Sequence, residues 1–239
     1  MSRPSPSLWI QAVTIPVLAA AVVLAFLIMG NQPQAAQWVV VLSLSYLLGS
    51  MSWGYMILGW RRGLDIRKYG SGSTGMSNVL RTAGGKAAGA VLALDIAKGV
   101  LAVMLAREII GSNTAEVTAS LIVLVGHNWS VFLRFQGGRG ILTALGGLSV
   151  MTPVPAVLAT ATFLATAFLS RYISLGSIFG VIIGSLSVVG LALAGWYSDT
   201  YILYALVGGA MIIWQHRDNI KRIRQGNERR LGHPAVTAE

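Results

Sequence analysis

The chain has 239 residues, of which 54% are hydrophobic and only 11% charged, where a soluble domain carries about 25% charge. So little charge cannot cover a water-facing surface of that size, which excludes an ordinary soluble globular protein, and the lack of cysteine excludes disulfide frameworks, thiolate nucleophiles and Cys-ligated metals. The net charge of +10 and the 28 glycines then read as an all-α polytopic membrane protein of closely packed helices, its cations facing membrane lipid on one side and not nucleic acid.

A spanning helix needs about 20 apolar residues. Runs of that kind lie at 8–29, 37–60, 86–106, 117–133, 139–152, 153–170, 175–195 and 200–215. The run at 139–152 is short, and Pro153 and Pro155 punctuate its join to the next, so the two form either a bent pair or one interrupted element. If all eight cross, both termini share one side. That side carries Arg3, Arg61, Arg62, Arg67, Lys68, Arg81, Lys86, Arg134, Arg139, Arg171 and the basic C-terminal tail, while Glu108, Glu116 and Asp199 collect opposite with Arg107. Retention of cations inside assigns both termini and segments 61–86, 126–139 and 171–177 to the cytoplasm. The first run is longer than a signal-peptide core and no cleavage site follows it, so residues 1–35 read as an uncleaved anchor.

Three polar islands on that side exceed what connecting loops require. The first runs from Tyr69 to Arg81 and packs Gly70, Gly72 and Gly75 among Ser71, Ser73, Thr74 and Ser77, ahead of Asn78. Glycine admits close backbone approach, and free N–H groups at a helix start suit a phosphate that Arg81 would grip through its fork of donors. The plain alternative is a flexible linker with Ser77 or Asn78 as a helix cap. Next along the chain, Asp95 and Lys98 lie one turn apart inside an apolar run, as a functional site or as a mutually neutralising structural pair.

The second island, Gly126 to Gly140, ends an apolar run with Trp129, Phe132 and Phe135, which read as an interfacial belt, and then turns through Gly137-Gly138-Arg139-Gly140, glycines flanking a cation. Its His127 is equally readable as a helix-capping or a reactive histidine. Gly176, Gly180 and Gly184 recur every four residues as a helix-packing face. The third island follows the last apolar run: His216 and Asn219 share one helical face, whereas Lys221, Arg222, Arg224, Arg229 and Arg230 read as cations lying on anionic lipid headgroups. No P-loop, H-E-x-x-H zinc site or G-x-S-x-G elbow is present, and no histidine has an aspartate five positions later.

Taken in order, the islands resemble the acyl-phosphate-dependent glycerol-3-phosphate acyltransferases of bacteria, the PlsY family, over residues 44–230. Gly70, Ser71, Gly72, Gly75, Asn78 and Arg81 fit that family's first motif. Gly126, His127, Val131, Phe132, Phe135, Gly137, Gly138 and Gly140 fit its second, and His216, Asn219, Ile220, Arg222, Gly226 and Glu228 its third. Ile66 to Tyr69, Asp95 with Lys98, and Ser174 to Ser177 also look like the family. Ser73 stands where the family has Asn, Ser77 where it has Thr, Ser130 where it has Pro and Arg139 where it has Lys.

The resemblance implies seven spans plus one added N-terminal helix, that is, an anchor over residues 1–35 and an acyltransferase membrane domain over 36–239. It implies transfer of an acyl group from acyl phosphate to the 1-hydroxyl of glycerol 3-phosphate, giving lysophosphatidate and inorganic phosphate, at the bacterial cytoplasmic membrane and without metal, coenzyme A or other cofactor. Carried over residue by residue, it assigns catalysis to Ser71, Arg81, His216 and Asn219. It assigns substrate binding to Gly70, Gly72, Gly75, Ser77, Asn78, Gly137, Gly138, Arg139, Gly140 and Ser174, and structural roles to Glu228, Asp95 and Lys98. A transporter or channel for a small phosphorylated solute, lined by broken helices, and a homologue that has lost catalysis are the competing readings.

Overall fold

A computed structural model of the chain describes residues 5–232, so that Arg3 lies outside them. Among the described residues every regular element is helical: α1 (Pro6–Ile28), α2 (Gln34–Ser50), α3 (Trp53–Arg62), α4 (Met76–Ala83), α5 (Gly85–Ile109), α6 (Asn113–Asn128), α7 (Ile141–Met151), α8 (Pro153–Ser170), α9 (Ile173–Leu193), α10 (Thr200–Gln215) and α11 (Arg217–Arg224). Helices α1, α5, α8 and α9, and α6 continued to Leu133, are long and apolar enough to cross a membrane. The expected single run at 37–60 is instead α2 and α3, bent by 43° at Met51–Ser52. The run at 139–152 is an 11-residue helix, too short to span, separated from α8 only by Thr152. Pro153 sits in the first turn of α8, where its missing N–H has no helical partner to lose.

The α2–α3 break sits among apolar helices, where each freed backbone group needs a partner. Lys98 Nζ, from α5, donates to the carbonyls of Gly49 (3.0 Å) and Met51 (3.1 Å), and Asp95 Oδ1 neutralises it at 3.0 Å. Ser130 Oγ donates to the Ser50 carbonyl at 2.6 Å, which gives the serine that replaces the family's proline a local task. From α1, the fully buried Gln11 accepts the Ser52 N–H at 3.0 Å.

Glycines set the helix spacing. A Cβ at Gly49 or Gly126 would run into the facing backbone where α2 meets α6, and the same holds for Gly99 and Gly146 between α5 and α7. Gly176 and Gly180 bring α9 onto α8 at Phe163 and Ala159, as their spacing predicts. At the end of the bundle away from the polar islands, Arg107 clasps Glu116 through two bonds (2.7 and 3.1 Å), and Tyr201 donates to the same carboxylate at 2.8 Å, tying α5, α6 and α10 together. The basic end is left to open between the helices.

Candidate active site

Three helices begin at one cavity of about 340 Å³. Gly75, Met76 and Ser77 open α4, Gly140, Ile141 and Leu142 open α7, and Ile173 and Ser174 open α9, and all of these residues line it. None of the three N-termini has a side-chain cap, so their first N–H groups lack side-chain acceptors at residues that line the cavity, an arrangement suited to an anion. Gly140 holds φ +83°, a left-handed turn that a larger residue resists, and a Cβ there would strike Leu124.

Arg81, Arg139 and Arg229 also line the cavity, with Arg222 behind them on Glu228. Arg222 is bonded to Glu228, and the charge of that carboxylate also acts on Arg81 and Arg139. Burial first, then repulsion from Arg222, pulls Arg139 down to about 10; burial likewise lowers Arg81, with Arg229 and Arg222 adding to the shift against the pull of Glu228. Ser71 Oγ, Arg81 Nε, Asn219 Oδ1 and Arg229 Nη1 are buried without a hydrogen-bond partner among the described residues. Orphaned donors and acceptors of this kind mark a site completed by a polar ligand.

His216 closes α10 and is 2% exposed. Its Nδ1 lies 2.8 Å from the Ile212 carbonyl and therefore carries the proton, which leaves the Nε2 lone pair free. Burial, offset in part by that hydrogen bond and reinforced by Arg139, takes its pKa down to about 4, so the ring is neutral near pH 7. Glu228 Oε1 accepts from Ser174 Oγ at 3.0 Å and Asn219 Nδ2 at 2.8 Å, while Oε2 accepts from Arg222 Nε at 2.9 Å, so one carboxylate ties α9 to α11.

Of the residues assigned to substrate from sequence, Ser71, Gly75, Ser77, Arg81, Arg139, Gly140, Ser174, His216 and Asn219 line the cavity, as do Asp95 and Glu228. Others stand behind its wall. Asn78 donates to the carbonyls of Tyr69 and Ser73 and accepts the Ser71 N–H, so its amide shapes the first loop around Gly70 and Gly72. Gly137 and Gly138 pack on the end of α6: a Cβ at Gly138 would overlap the His127 ring, and the Gly138 N–H donates to the His127 carbonyl at 3.1 Å. Lys98 is spent on the helix break. His127 is buried 3.3 Å from Thr143 Oγ1 and 3.7 Å from Asp95 Oδ1, on the cavity side of that break.

Arg222 and Arg229 turn inward, which corrects their reading as lipid-facing tail cations. In the sequence, Arg222 is marked by its place in the third motif, and Arg229 only by its adjacency to Glu228 at the end of the third island. Below the arginines the cavity becomes apolar between α7, α8 and α9, lined by Leu145, Leu148, Phe163, Val181 and Val188, down to Tyr204, whose hydroxyl donates to the Ala144 carbonyl at 2.8 Å. A polar, anion-seeking mouth over an apolar slot suits an amphiphile with a phosphate head.

Residues 39–226 match the family model described as glycerol-3-phosphate acyltransferase. The chain belongs to the glycerol-3-phosphate acyltransferase family. It is 43% identical over 208 residues to glycerol-3-phosphate acyltransferase 3 of Dehalococcoides mccartyi, covering 82% of this chain and 96% of the relative. It is 41% identical over 189 residues to a glycerol-3-phosphate acyltransferase of Thermoanaerobacter, covering 79% and 93%. Among solved structures, it resembles crystal structures of PlsY, an integral membrane glycerol 3-phosphate acyltransferase. For the glycerol 3-phosphate form the TM-score is 0.76 at 35% identity, with 82% of this chain and 96% of that one covered. For the lysophosphatidic acid form it is 0.73 at 33% identity, covering 82% and 95%. This member of the glycerol-3-phosphate acyltransferase family is a multi-pass membrane protein. Helix α1 precedes the matched region, and Glu228 and Arg229 follow it.

Proposed function

We propose that the chain transfers a fatty acyl group from acyl phosphate to the 1-hydroxyl of glycerol 3-phosphate, giving lysophosphatidate and inorganic phosphate. The observation that carries this reading is the convergence of three uncapped helix N-termini and the arginine cluster on a cavity that continues as an apolar slot. Both substrates bring a phosphate, each about −2 near neutral pH, and one of them brings an acyl chain that the slot between α7, α8 and α9 can hold.

The acceptor oxygen forms a bond to the acyl carbonyl carbon, the bond from that carbon to the phosphate oxygen breaks, and the electron pair leaves on inorganic phosphate. His216 Nε2 takes the hydroxyl proton and returns it to a phosphate oxygen. Its neutral ring and free lone pair support this role; burial first, and Arg139 after it, hold the ring near 4, and the negative charge of bound phosphate acts in the opposite direction and strengthens the base. Acyl phosphate is already activated, so orientation within the ternary complex and charge stabilisation by Arg81, Arg139 and the helix N-termini supply the acceleration. Ser71 Oγ and Asn219 Oδ1 have no partner among the described residues; the serine hydroxyl can donate to a substrate oxygen, and Asn219 Oδ1 can accept from a glycerol hydroxyl.

The basic end of the bundle supports a cytoplasmic position for these loops in a bacterial inner membrane. Residues 36–239 form the catalytic unit in this reading, and residues 1–35 an added anchor. The test is phosphate release by detergent-purified protein from a long-chain acyl phosphate, with and without glycerol 3-phosphate, beside Arg81→Ala. Acceptor-dependent release that is lost in the variant supports the reading, and release indifferent to acceptor overturns it.

A further inference from the structure

The segment after α11 crosses the mouth of the cavity as a strap. The Leu231 N–H donates to the Arg171 carbonyl at 2.7 Å, and Arg230 Nε reaches Tyr172 Oη at 3.2 Å, which fixes the strap to the turn between α8 and α9. On the other side, Arg229 Nη2 donates to the Gly70 carbonyl at 3.0 Å in the first loop. This bond holds the guanidinium with its other terminal nitrogen, Nη1, buried in the cavity wall and unpartnered among the described residues. A tail cation meant for lipid headgroups would extend outward and keep both nitrogens in water.

The electrostatics sharpen the contrast. Arg229 and Arg222 lie close enough to Arg81 and Arg139 to repel them; of the two carboxylates that line the cavity, Asp95 is paired with Lys98, and Glu228 is already bonded to Ser174, Asn219 and Arg222. Partly buried like charges in such number are unfavourable unless an anion lies among them. One phosphate would call for fewer cations, and the reading above brings two. Arg139 lies just ahead of α7, whose Ile141 and Leu142 line the cavity with it, and the proposed acyl donor would bring its phosphate to that end of the apolar slot. Arg229 lines the cavity with Ser71 and Ser73, on the side of the first loop to which its bond to Gly70 ties it.

We infer that Arg229, carried by the C-terminal strap beyond the region matched to the family, binds the phosphate of the soluble acceptor and so sets affinity for glycerol 3-phosphate. The inference rests on the acyltransferase reading. One nitrogen holds Gly70 and the other has no partner among the described residues, so two variants are needed: Arg229→Gln removes the charge together with the reach to the Gly70 carbonyl, whereas Arg229→Lys keeps the charge on a side chain closer to arginine in length.

Full-length wild type, Arg229→Gln, Arg229→Lys and, as a control, the exposed α11 cation in Arg224→Gln would be compared in detergent, for steady-state constants and for thermal stabilisation by glycerol 3-phosphate alone. Arg229→Gln should raise KM for glycerol 3-phosphate by about tenfold or more, the size of a lost charge-assisted contact, and should abolish most of the stabilisation. KM for acyl phosphate should stay near wild type, Arg229→Lys should recover part of the loss, and Arg224→Gln should match wild type. Wild-type constants in Arg229→Gln, or an equal rise in KM for acyl phosphate, would overturn the assignment. If wild type shows no acceptor-dependent transfer, the acyltransferase reading fails, and the stabilisation measurement still decides: a shift retained in Arg229→Gln removes Arg229 from the phosphate site, and a shift lost keeps it there.

Discussion

Asn219 Nδ2 donates to Glu228 Oε1 at 2.8 Å, and the same oxygen takes the hydroxyl of Ser174 at 3.0 Å. A side chain at the end of the third island thereby orients two groups that line the cavity without being the group that reacts. The Asn219 amide is left with its Oδ1 turned to the site.

Glu228→Gln preserves an acceptor for Ser174 and Asn219, so kcat/KM should fall by less than about tenfold. Glu228→Ala strips both bonds and leaves Arg222 unopposed, and two lost bonds to a charged group predict a drop on the order of a hundredfold or more. Steady-state kinetics on the two variants check the difference.

Arg139 occupies the deepest cationic position, where the related family has lysine. Arg139→Lys should keep activity within about tenfold, because charge is retained and only the forked geometry is lost. Arg139→Gln should cost about 100- to 1,000-fold in kcat/KM, the scale of removing a preorganised anion donor. Equal activity in all three proteins would remove Arg139 from the phosphate site.

His216 titrates at about 4 in the fold and near 6.5 when unfolded. The unfolded chain therefore binds more protons between those values, so stability is fully present above about 6.5 and is lost as pH falls toward 4. Thermal unfolding in detergent should decline across that window, and His216→Asn should flatten the upper part, from about 6.5 to 5, above the range where carboxylates protonate. The same variant should lower kcat, and near-full turnover would exclude His216 as the base.

Gln11 Oε1 joins α1 to the backbone of the α2–α3 break through the Ser52 N–H. Gln11→Ala leaves the Ser52 N–H buried and unpaired, a cost of about 1–3 kcal/mol. A lower unfolding temperature in detergent, with KM values near wild type, is the expected outcome. It would make α1 a brace for the α2–α3 break as well as an anchor.

Gly138→Ala should destabilise by about 1–3 kcal/mol through collision with the His127 ring. Gly89→Ala is the matched control: nothing lies within 4 Å of a Cβ there, and alanine is the better helix former. Opposite shifts in unfolding temperature would separate a packing glycine from a permissive one.

Much of this architecture was written in local chemistry. Apolar runs located the helices, the cation count divided the two ends, and the Ser71–Arg81, Gly137–Gly140 and His216–Glu228 islands pointed to phosphate, because hydrophobic length and the residue types that bind anions are local properties of a chain. Where those islands meet was not local. Gly137 and Gly138 read as a phosphate cradle but support His127, and Asn78 read as a ligand but shapes its own loop, since a polar or glycine residue carries no mark of whether backbone, side chain or substrate will meet it. The bend at Met51–Ser52 depends on donors and acceptors 41 to 80 positions away, in Gln11, Lys98 and Ser130. Arg229, 159 positions from Gly70, became part of the site only when the strap crossed the cavity mouth. Burial, charge pairing and the surplus of positive charge around the cavity arise from helices packed together, and only the tertiary structure could decide them.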